Sequence, residues 1–200
     1  MQRLLALLAG RAAGLLVVAT LARQSGIPRT TLSRYLELLS EVFLIKQIPA
    51  WSSNHTQRAV ATPKLAFVDS GIASYLVGQD ETRLGEPGGA GGAMLENFVS
   101  MEIARQLTWN DVRARLYHYR TKDQVEVDAV VETMDGRVIG VETKAGGTVR
   151  AEDLAGLRNL RDRLGEKFIA GFVLYAGQQT LPFGDRLRAL PLEALWKMQP

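Results

Sequence analysis

A glycine-rich run divides this chain into two parts that follow different patterns. Residues 85–93 contain six glycine or proline positions, and a segment of that composition does not hold regular structure. We predict a linker at 85–93, between a mostly helical domain at 1–84 and a domain at 94–200 where helices and strands alternate. We expect the linker to be mobile and the two domains to meet through Trp51 or Phe67 and their neighbours.

The first domain has the pattern of two helices joined by a tight turn. Apolar spacing predicts a helix around residues 4–8 and another at 18–24 that stops at Gly26, and Pro28 then opens a third helix. Strand-like runs at 42–48 and 64–68 can pair as the wing of a winged helix-turn-helix. The alternative is a small helical bundle with a polar surface.

Charge in this first part favours an anionic partner. Residues 1–60 carry seven Lys or Arg and only two acidic residues, an excess that indicates an anionic partner. The alternative, which charge alone favours equally, is a solvated arginine-rich surface. In a helix-turn-helix domain the third helix would be the recognition helix, and its exposed face would contact the major groove and the phosphates of DNA. Four residues form that predicted DNA-binding surface: Arg29, Thr30, Ser33 and Arg34.

Several classes of function are excluded by residue types that the chain lacks. There is no cysteine, and His55 and His118 stand far apart in the sequence, so thiolate chemistry and a zinc site are not expected. No apolar run reaches the length of about 20 residues that a membrane helix needs. We therefore expect a cytoplasmic protein whose acid chemistry comes from carboxylates.

The second part alternates helices and strands, as an α/β (α+β) domain with a meander and one crossover connection would. The predicted elements are a helix at 94–107, strands at 115–119, 124–131 and 138–143, a helix at 152–164, a strand at 168–175 and a short helix near Leu192.

Acidic residues alternate with apolar ones on two of these strands. Glu126 and Asp128 share one strand face, and Glu142 and Lys144 share a face of the next strand. A two-residue turn would place Glu142 and Lys144 among valines. An odd-length turn centred on Asp135 instead sets Asp128 opposite Glu142 and Glu126 opposite Lys144, and the polar pattern selects this register.

Two neighbouring carboxylates repel each other unless a cation lies between them. Oxygen ligands without histidine or cysteine favour Mg²⁺ or Mn²⁺, and Lys144 would place a positive charge beside such an ion. This arrangement suits attack of water on a phosphodiester. The alternative is an exposed hairpin held by cross-strand ion pairs such as Glu126 with Lys144.

These residues carry a resemblance. Asp128 followed by Glu142-Thr143-Lys144, with Glu96 on a preceding helix, resembles the motif of the PD-(D/E)XK nuclease superfamily. Almost the whole chain also resembles the C-terminal region, a domain of unknown function, of a large prokaryotic AAA-type ATPase family. The matching stretches are Thr31-Leu-Ser-Arg-Tyr-Leu-Glu-Leu-Leu39, Leu44-Ile-Lys-Gln-Ile-Pro-Ala-Trp51, Pro63-Lys-Leu-Ala-Phe-Val-Asp-Ser-Gly71, Leu95-Glu-Asn-Phe-Val99, Tyr119-Arg120, Glu126-Val-Asp128 and Glu142-Thr-Lys144.

The resemblance implies a winged helix joined to a restriction-endonuclease-like mixed-sheet domain. It further implies that Asp128 and Glu142 bind the metal, that Glu96 is an outer metal or water contact, and that Lys144 lies at the attacking water. Helical periodicity permits Glu96 to reach the sheet but permits Glu102 equally, so only the motif chooses between them. The ATPase half of such proteins, with its nucleotide site, is absent from this sequence.

We therefore expect a metal-dependent DNA phosphodiesterase module that works with an ATPase domain or subunit. The alternative functions are a non-catalytic DNA-binding or regulatory module of such an ATPase, and a protein-interaction scaffold. The sequence does not determine the oligomeric state.

Overall fold

The computed structural model describes residues 1–86 and 89–197 and has a mixed α+β architecture. Its helices are α1 (Gln2–Ala9), α2 (Val18–Ser25), α3 (Arg29–Glu41), α4 (His55–Val60), α5 (Ser70–Leu76), α6 (Glu81–Leu84), α7 (Gly91–Gln106), α8 (Ala155–Leu164) and α9 (Ala194–Lys197), with 3₁₀ turns at Ala151–Leu154 and Gly165–Lys167. Its strands are β1 (Ile45–Ile48), β2 (Lys64–Phe67), β3 (Ala114–Arg120), β4 (Glu126–Thr133), β5 (Val138–Lys144), β6 (Phe168–Tyr175), β7 (Leu181–Pro182) and β8 (Leu187–Pro191).

The N-terminal part packs α1, α2 and α3 against a small sheet. Helix α2 ends at Gly26, which adopts the left-handed conformation with φ of 70°, and α3 begins directly after Pro28, as the sequence predicts. Strands β1 and β2 pair antiparallel, with Ile45 opposite Phe67. The predicted start of β1 at residue 42 is wrong because Phe43 has a positive φ of 57°, which interrupts an extended run.

The larger sheet has six strands in the order β3-β4-β5-β6-β8-β7. Strands β3, β4 and β5 form the predicted antiparallel meander, and α8 carries the chain across to β6, which is parallel to β5. Strand β8 is also parallel to β6, so the sheet contains a second parallel connection. Sequence reasoning missed β7 and β8, which are short and each contain a proline.

Each face of this sheet is covered by one helix and its own apolar core. The face under α8 buries Val130, Val138 and Phe168 with Leu157 and Leu160 of the helix. The face under α7 buries a second set of apolar side chains, namely Val99, Met101, Ile103, Leu116, Ala129, Val141 and Leu174. The strands are therefore apolar on both sides along most of their length, so polar residues on them require a separate explanation.

Hydrogen bonds to β3 and to α7 join the N-terminal part to the rest of the molecule. The main-chain N–H of Trp51 donates to the carbonyl of His118 over 2.6 Å, and the N–H of His118 donates to the carbonyl of Pro49 over 3.0 Å, so residues 49–51 lie along the outer edge of β3. Asn97 of α7, which is buried, accepts from the N–H of Phe67 and donates to its carbonyl. Both Trp51 and Phe67 thus lie at the contact, as the sequence predicts.

The glycine-rich segment contains regular structure that the sequence analysis excluded. Helix α7 begins at Gly91, so the prediction that residues 91–93 belong to an irregular linker is wrong. A Cβ at Gly91 would lie 2.0 Å from the carbonyl oxygen of Leu84. Glycine is needed here for close packing of the helix start on α6, and not for flexibility. The predicted linker also includes Pro87 and Gly88, which lie outside the described residues.

Among the helices within residues 1–86 and 89–197, none combines the length and the apolar character needed to cross a membrane.

Candidate active site

The centre of the site is the point where strands β4 and β5 separate. Their ladder runs from Glu132 opposite Val138 to Ala129 opposite Val141, which confirms the predicted register. One residue further on, Oδ2 of Asp128 accepts a hydrogen bond of 3.0 Å from the main-chain N–H of Thr143. A carboxylate thus takes the place of a strand carbonyl at the end of the ladder.

A β-bulge helps to position this carboxylate. Between the pairs Tyr117–Val130 and Tyr119–Val127, β4 has two residues where β3 has one. Bulges redirect side chains and increase strand twist, so Asp128 leaves the simple alternation that the sequence pattern assumes. It interacts with groups from three other elements, β2, α7 and β5, as described below.

Glu142 lies against Asp128. The two carboxyl groups are hydrogen-bonded, and burial together with the charge of Asp128 raises the pKa of Glu142 to about 10. The start of α8 packs tightly over this pair, because a Cβ at Gly156 would lie 1.8 Å from the carbonyl oxygen of Glu126 and 2.9 Å from Oε1 of Glu142. The predicted repulsion between paired carboxylates is thus relieved here by a proton.

Lys64 at the start of β2 is the residue that sequence reasoning missed. Its side chain is only 5% exposed, and its Nζ lies 2.5 Å from Oε1 of Glu96 and 3.2 Å from Oδ1 of Asp128. Burial lowers the pKa of this ammonium, but the charges of Glu96 and Asp128 outweigh burial and raise it. A lysine within the otherwise apolar run 64–68 was the available signal, since apolar strand positions seldom hold an uncompensated charge.

Glu96 of α7 completes what we call the carboxylate cluster, which consists of Lys64, Glu96, Asp128 and Glu142. Burial and the charge of Asp128 raise the pKa of Glu96 to about 7, against the opposing effect of Lys64. Glu102, which helical periodicity allowed as an alternative, instead binds Arg105, Gln106 and Trp196. The structure therefore brings together Glu96, Asp128 and Glu142.

Lys144 lies at the edge of the cluster, in an open cleft. The cleft has a volume of about 360 Å³ and is lined by Glu126, Glu142, Lys144, Glu152 and Asp153, among others. The side chain of Lys144 is 44% exposed and forms an ion pair with Asp153, which also accepts from the main-chain N–H of Arg150 over 2.8 Å. Asp153 therefore fixes the direction of Lys144, and the sequence analysis missed it.

The predicted cross-strand pair between Glu126 and Lys144 does not form. Glu126 instead pairs with Arg120 across the β3–β4 hairpin, while Lys144 pairs with Asp153. The interpretation of these strands as an exposed hairpin held by that pair is therefore wrong. Glu126 lies at the wall of the cleft and not in the carboxylate cluster.

The predicted DNA-binding residues lie in a different part of the molecule. Arg29, Thr30 and Arg34 are exposed on α3, and Ser33 is half-buried. Within residues 1–86 and 89–197, no hydrogen bond or ion pair links them to the carboxylate cluster.

The carboxylate oxygens of the cluster are the type of ligand that a hard divalent cation prefers. Without such an ion, a proton and the ammonium of Lys64 offset their charge. Asp128 and Glu142 are in direct contact, but Lys64 lies between Glu96 and Asp128. In the part of the chain that the structure describes, no three His, Asp or Glu side chains are arranged to hold one metal ion together. Of the three predicted ligands, Glu96 and Asp128 both face the ammonium of Lys64.

Comparison with known proteins finds relatives of this chain. It is 30% identical over 178 residues to the uncharacterized protein Rv2008c of Mycobacterium tuberculosis, and likewise to the uncharacterized protein Mb2031c of Mycobacterium bovis. Each alignment covers 88% of this chain but only 38% of the relative. No solved structure matches significantly.

Two sequence families divide the chain near its glycine-rich segment. Residues 1–83 match the family described as Domain of unknown function (DUF8612). Residues 91–195, which contain α7, the six-stranded sheet and three of the four residues of the carboxylate cluster, match the family described as Domain of unknown function (DUF4143). The chain therefore belongs to the DUF4143 family.

Proposed function

We propose that this chain is a metal-dependent phosphodiesterase module that acts on DNA. The observation that carries the proposal is the contact between Asp128 and Glu142, two half-buried carboxyl groups on neighbouring strands, next to a cleft that holds Lys144. Two carboxyl groups forced together at a strand edge raise the energy of the metal-free fold. Such an arrangement is maintained where the groups bind a cation.

The residues have separate roles in this proposal. Asp128 and Glu142 would hold Mg²⁺ or Mn²⁺, with Glu96 as an outer contact, and the ion would supply Lewis-acid activation of a phosphate oxygen and of water. Water attacks phosphorus, one P–O ester bond breaks, and the leaving oxygen takes up a proton. Lys144, oriented by Asp153, donates a hydrogen bond to the attacking water or to a phosphate oxygen, where negative charge grows.

The fold is consistent with this chemistry. We propose that the six-stranded sheet with α7 and α8 is a restriction-endonuclease-like domain, and that α2, α3, β1 and β2 form a winged helix. In this arrangement Arg29, Thr30, Ser33 and Arg34 contact the DNA backbone and groove. The exposure of Arg29 and Arg34 supports that role.

We also propose that the module works with an AAA-type ATPase. Two points support this proposal: the alignment with the mycobacterial relatives covers only 38% of their length, and the resemblance described above implies an ATPase half in proteins of this kind. ATP hydrolysis would then move DNA or expose single strands for the phosphodiesterase.

The test is cleavage of labelled plasmid, duplex and single-stranded DNA by the full chain in Mg²⁺ or Mn²⁺, with Asp128→Asn and Lys144→Met as variants. We expect cleavage by the wild type, none by either variant, and retention of metal binding by Lys144→Met only. Arg23→Ala, which changes a basic residue of α2, is the matched control and should keep activity. Metal binding without cleavage of any of these substrates would contradict the proposal.

One observation favours the second candidate, a non-catalytic DNA-binding or regulatory module. Lys64 already supplies a positive charge between Glu96 and Asp128, as a purely structural cluster would require. DNA binding that weakens with salt and with Arg29→Ala/Arg34→Ala, in a chain that binds no metal, would identify this function.

A further inference from the structure

Lys64 occupies an unusual position for a lysine. Among the Lys and Arg residues within 1–86 and 89–197, it is the only one that is buried, with 4% of its surface exposed. A buried ammonium is stable only when opposite charges surround it. Here they come from two elements, since Glu96 belongs to α7 and Asp128 to β4.

The position of this ammonium matters for any second cation. Oδ1 of Asp128 lies beside Nζ of Lys64. The same carboxyl group also interacts with Glu142. An ion that bound Asp128, Glu142 and Glu96 together would lie within a few ångströms of Nζ of Lys64. Two positive charges this close together repel each other strongly inside a protein.

We infer that Lys64 fills the cation position of the carboxylate cluster in the metal-free protein, so that the lysine and a divalent metal ion compete for the same carboxylates. The inference rests on the proposed function, because it takes the cluster to be a metal site. Lys64 is then a regulator of metal loading that belongs to the N-terminal part of the chain and not to the residues that match DUF4143.

The structure indicates how the competition takes place. The backbone of β2 cannot withdraw, because Asn97 holds both the N–H and the carbonyl of Phe67 at 2.8 and 2.9 Å. The ammonium must therefore move by rotation of its four-carbon side chain. Glu96 is 20% exposed, so the displaced ammonium has solvent nearby.

The experiment measures Mn²⁺ affinity by calorimetry on the full chain, as wild type, Lys64→Met and Lys46→Met. Lys46 lies on β1, exposed and beside β2, so its replacement removes the same charge away from the carboxylates. We expect Lys64→Met to bind Mn²⁺ at least about tenfold more tightly than wild type, since the competing charge is gone. Lys46→Met should bind as wild type does.

A second pair of variants covers the case in which Lys64→Met does not fold. Glu96→Gln removes one partner of the lysine, so Lys64→Met/Glu96→Gln leaves fewer uncompensated charges. The double variant should bind Mn²⁺ more tightly than Glu96→Gln alone. Equal or weaker binding after loss of Lys64, in both comparisons, overturns the inference.

The outcomes separate this inference from the proposed function. If wild type binds Mn²⁺ and cleaves DNA while loss of Lys64 changes nothing in affinity, the inference fails and the function stands. If only chains without Lys64 bind Mn²⁺, the inference is supported and the metal-dependent activity of the native chain is rejected. If no chain binds Mn²⁺, both are rejected.

Discussion

Strand β4 has a largely buried ionic cluster near each end, and the two clusters differ in the charged groups that they bring together. Near its C-terminal end Glu132 accepts hydrogen bonds of 2.6 and 3.0 Å from Arg58 and one of 3.1 Å from the indole of Trp51. The guanidinium also lies over the rings of Trp51 and Tyr117, 5.5 and 4.7 Å from their centroids. We call this group the arginine cluster; in it a guanidinium binds a carboxylate through two hydrogen bonds.

Near the other end, the carboxylate cluster sets three carboxyl groups against one ammonium. A balanced, bidentate pair with aromatic packing holds its side chains in place and stabilises the fold. An unbalanced cluster keeps one carboxyl group protonated and lowers stability. Charged side chains on one strand can therefore either stabilise the fold or form a candidate site. An excess of carboxyl groups over cations distinguishes the candidate site from the structural contact.

The largest effect is expected from breaking the balanced pair. Arg58→Met leaves the carboxylate of Glu132 without its guanidinium and should lower the free energy of unfolding by about 4 kcal/mol. Urea denaturation measures the change. Arg150→Met is the control, because Arg150 and Glu152 are about three-quarters exposed and their pair should contribute less than about 0.5 kcal/mol. Equal effects of the two variants would contradict the distinction between the clusters.

His118, on the same sheet, is an ionisable group that is buried in its neutral form. Burial, with smaller effects from Lys64 and Arg120, lowers its pKa to about 4, while its contacts with Thr62 and the charge of Asp128 act in the opposite direction. A depressed histidine pKa means that the unfolded chain binds more protons between pH 6.5 and 4. Protonation of His118 therefore leaves the free energy of unfolding unchanged above pH 6.5. Below pH 6.5 it lowers the free energy of unfolding progressively, until the pH reaches about 4.

His118→Gln keeps a donor for the carbonyl of Thr62, which Nε2 contacts at 3.1 Å, but does not titrate. Between pH 7 and 4 the wild type should lose about 3 kcal/mol more stability than the variant does. Denaturation curves across this pH range measure the difference in slope. Parallel pH profiles would show that His118 is charged in the fold.

The carboxylate cluster should respond in the reverse direction, with a gain of stability, when Glu142 is replaced by an amide that cannot ionise. The pKa of Glu142 is raised to about 10, so the unfolded chain releases its proton first and stability falls as pH rises above 4.5. Glu142→Gln removes this penalty, and at pH 7 it should stabilise the metal-free chain by about 3 kcal/mol. It should also abolish the stabilisation by Mn²⁺.

Thermal unfolding in a chelator and in Mn²⁺ measures both effects. Glu152→Gln, on the wall of the cleft and exposed, is the matched control and should change neither. A variant Glu142→Gln that is less stable than wild type at pH 7 would mean that this carboxyl group is a structural contact like Glu132.

The smallest effect is expected at Asp153, which lines the cleft and forms an ion pair with Lys144. Asp153→Asn should lower stability by about 1 kcal/mol, since it weakens both the ion pair and the hydrogen bond to Arg150. If Lys144 acts on the transition state, the variant should lower kcat for DNA cleavage more than it raises KM, and should leave Mn²⁺ affinity unchanged. A change in KM alone would show that Asp153 only supports substrate binding.

Local patterns predicted the elements of the larger sheet as far as β6 and the register of the β4–β5 hairpin. The alternation of Glu126 and Asp128 with valines and the turn at Asp135 are contained within a few residues, so periodicity decides them. The bulge at Asp128 was not visible, because it depends on how β3 pairs with β4. Strand β8 was missed because its five residues have little periodicity of their own.

The site was predicted in part for the same reason. Asp128 and Glu142 face each other through a short hairpin, whereas Lys64 reaches Asp128 from 64 residues away in the sequence and Glu96 from 32 residues away. No pattern in the neighbourhood of Lys64 signals its partners. The motif resemblance selected Glu96 over Glu102, and the structure gives the physical reason, since Glu102 is already bound by Arg105.

The segment 49–51 has a consequence for how this protein stays in solution. It covers the outer edge of β3 at His118, and an uncovered edge strand offers hydrogen-bonding groups to other copies of the chain. A fragment cut at the glycine-rich segment would keep every strand of the larger sheet but would lose this cover. We therefore expect the N-terminal part to protect the DUF4143 part from aggregation. A chain that contained the DUF4143 part alone would expose the edge of β3 to other copies of itself.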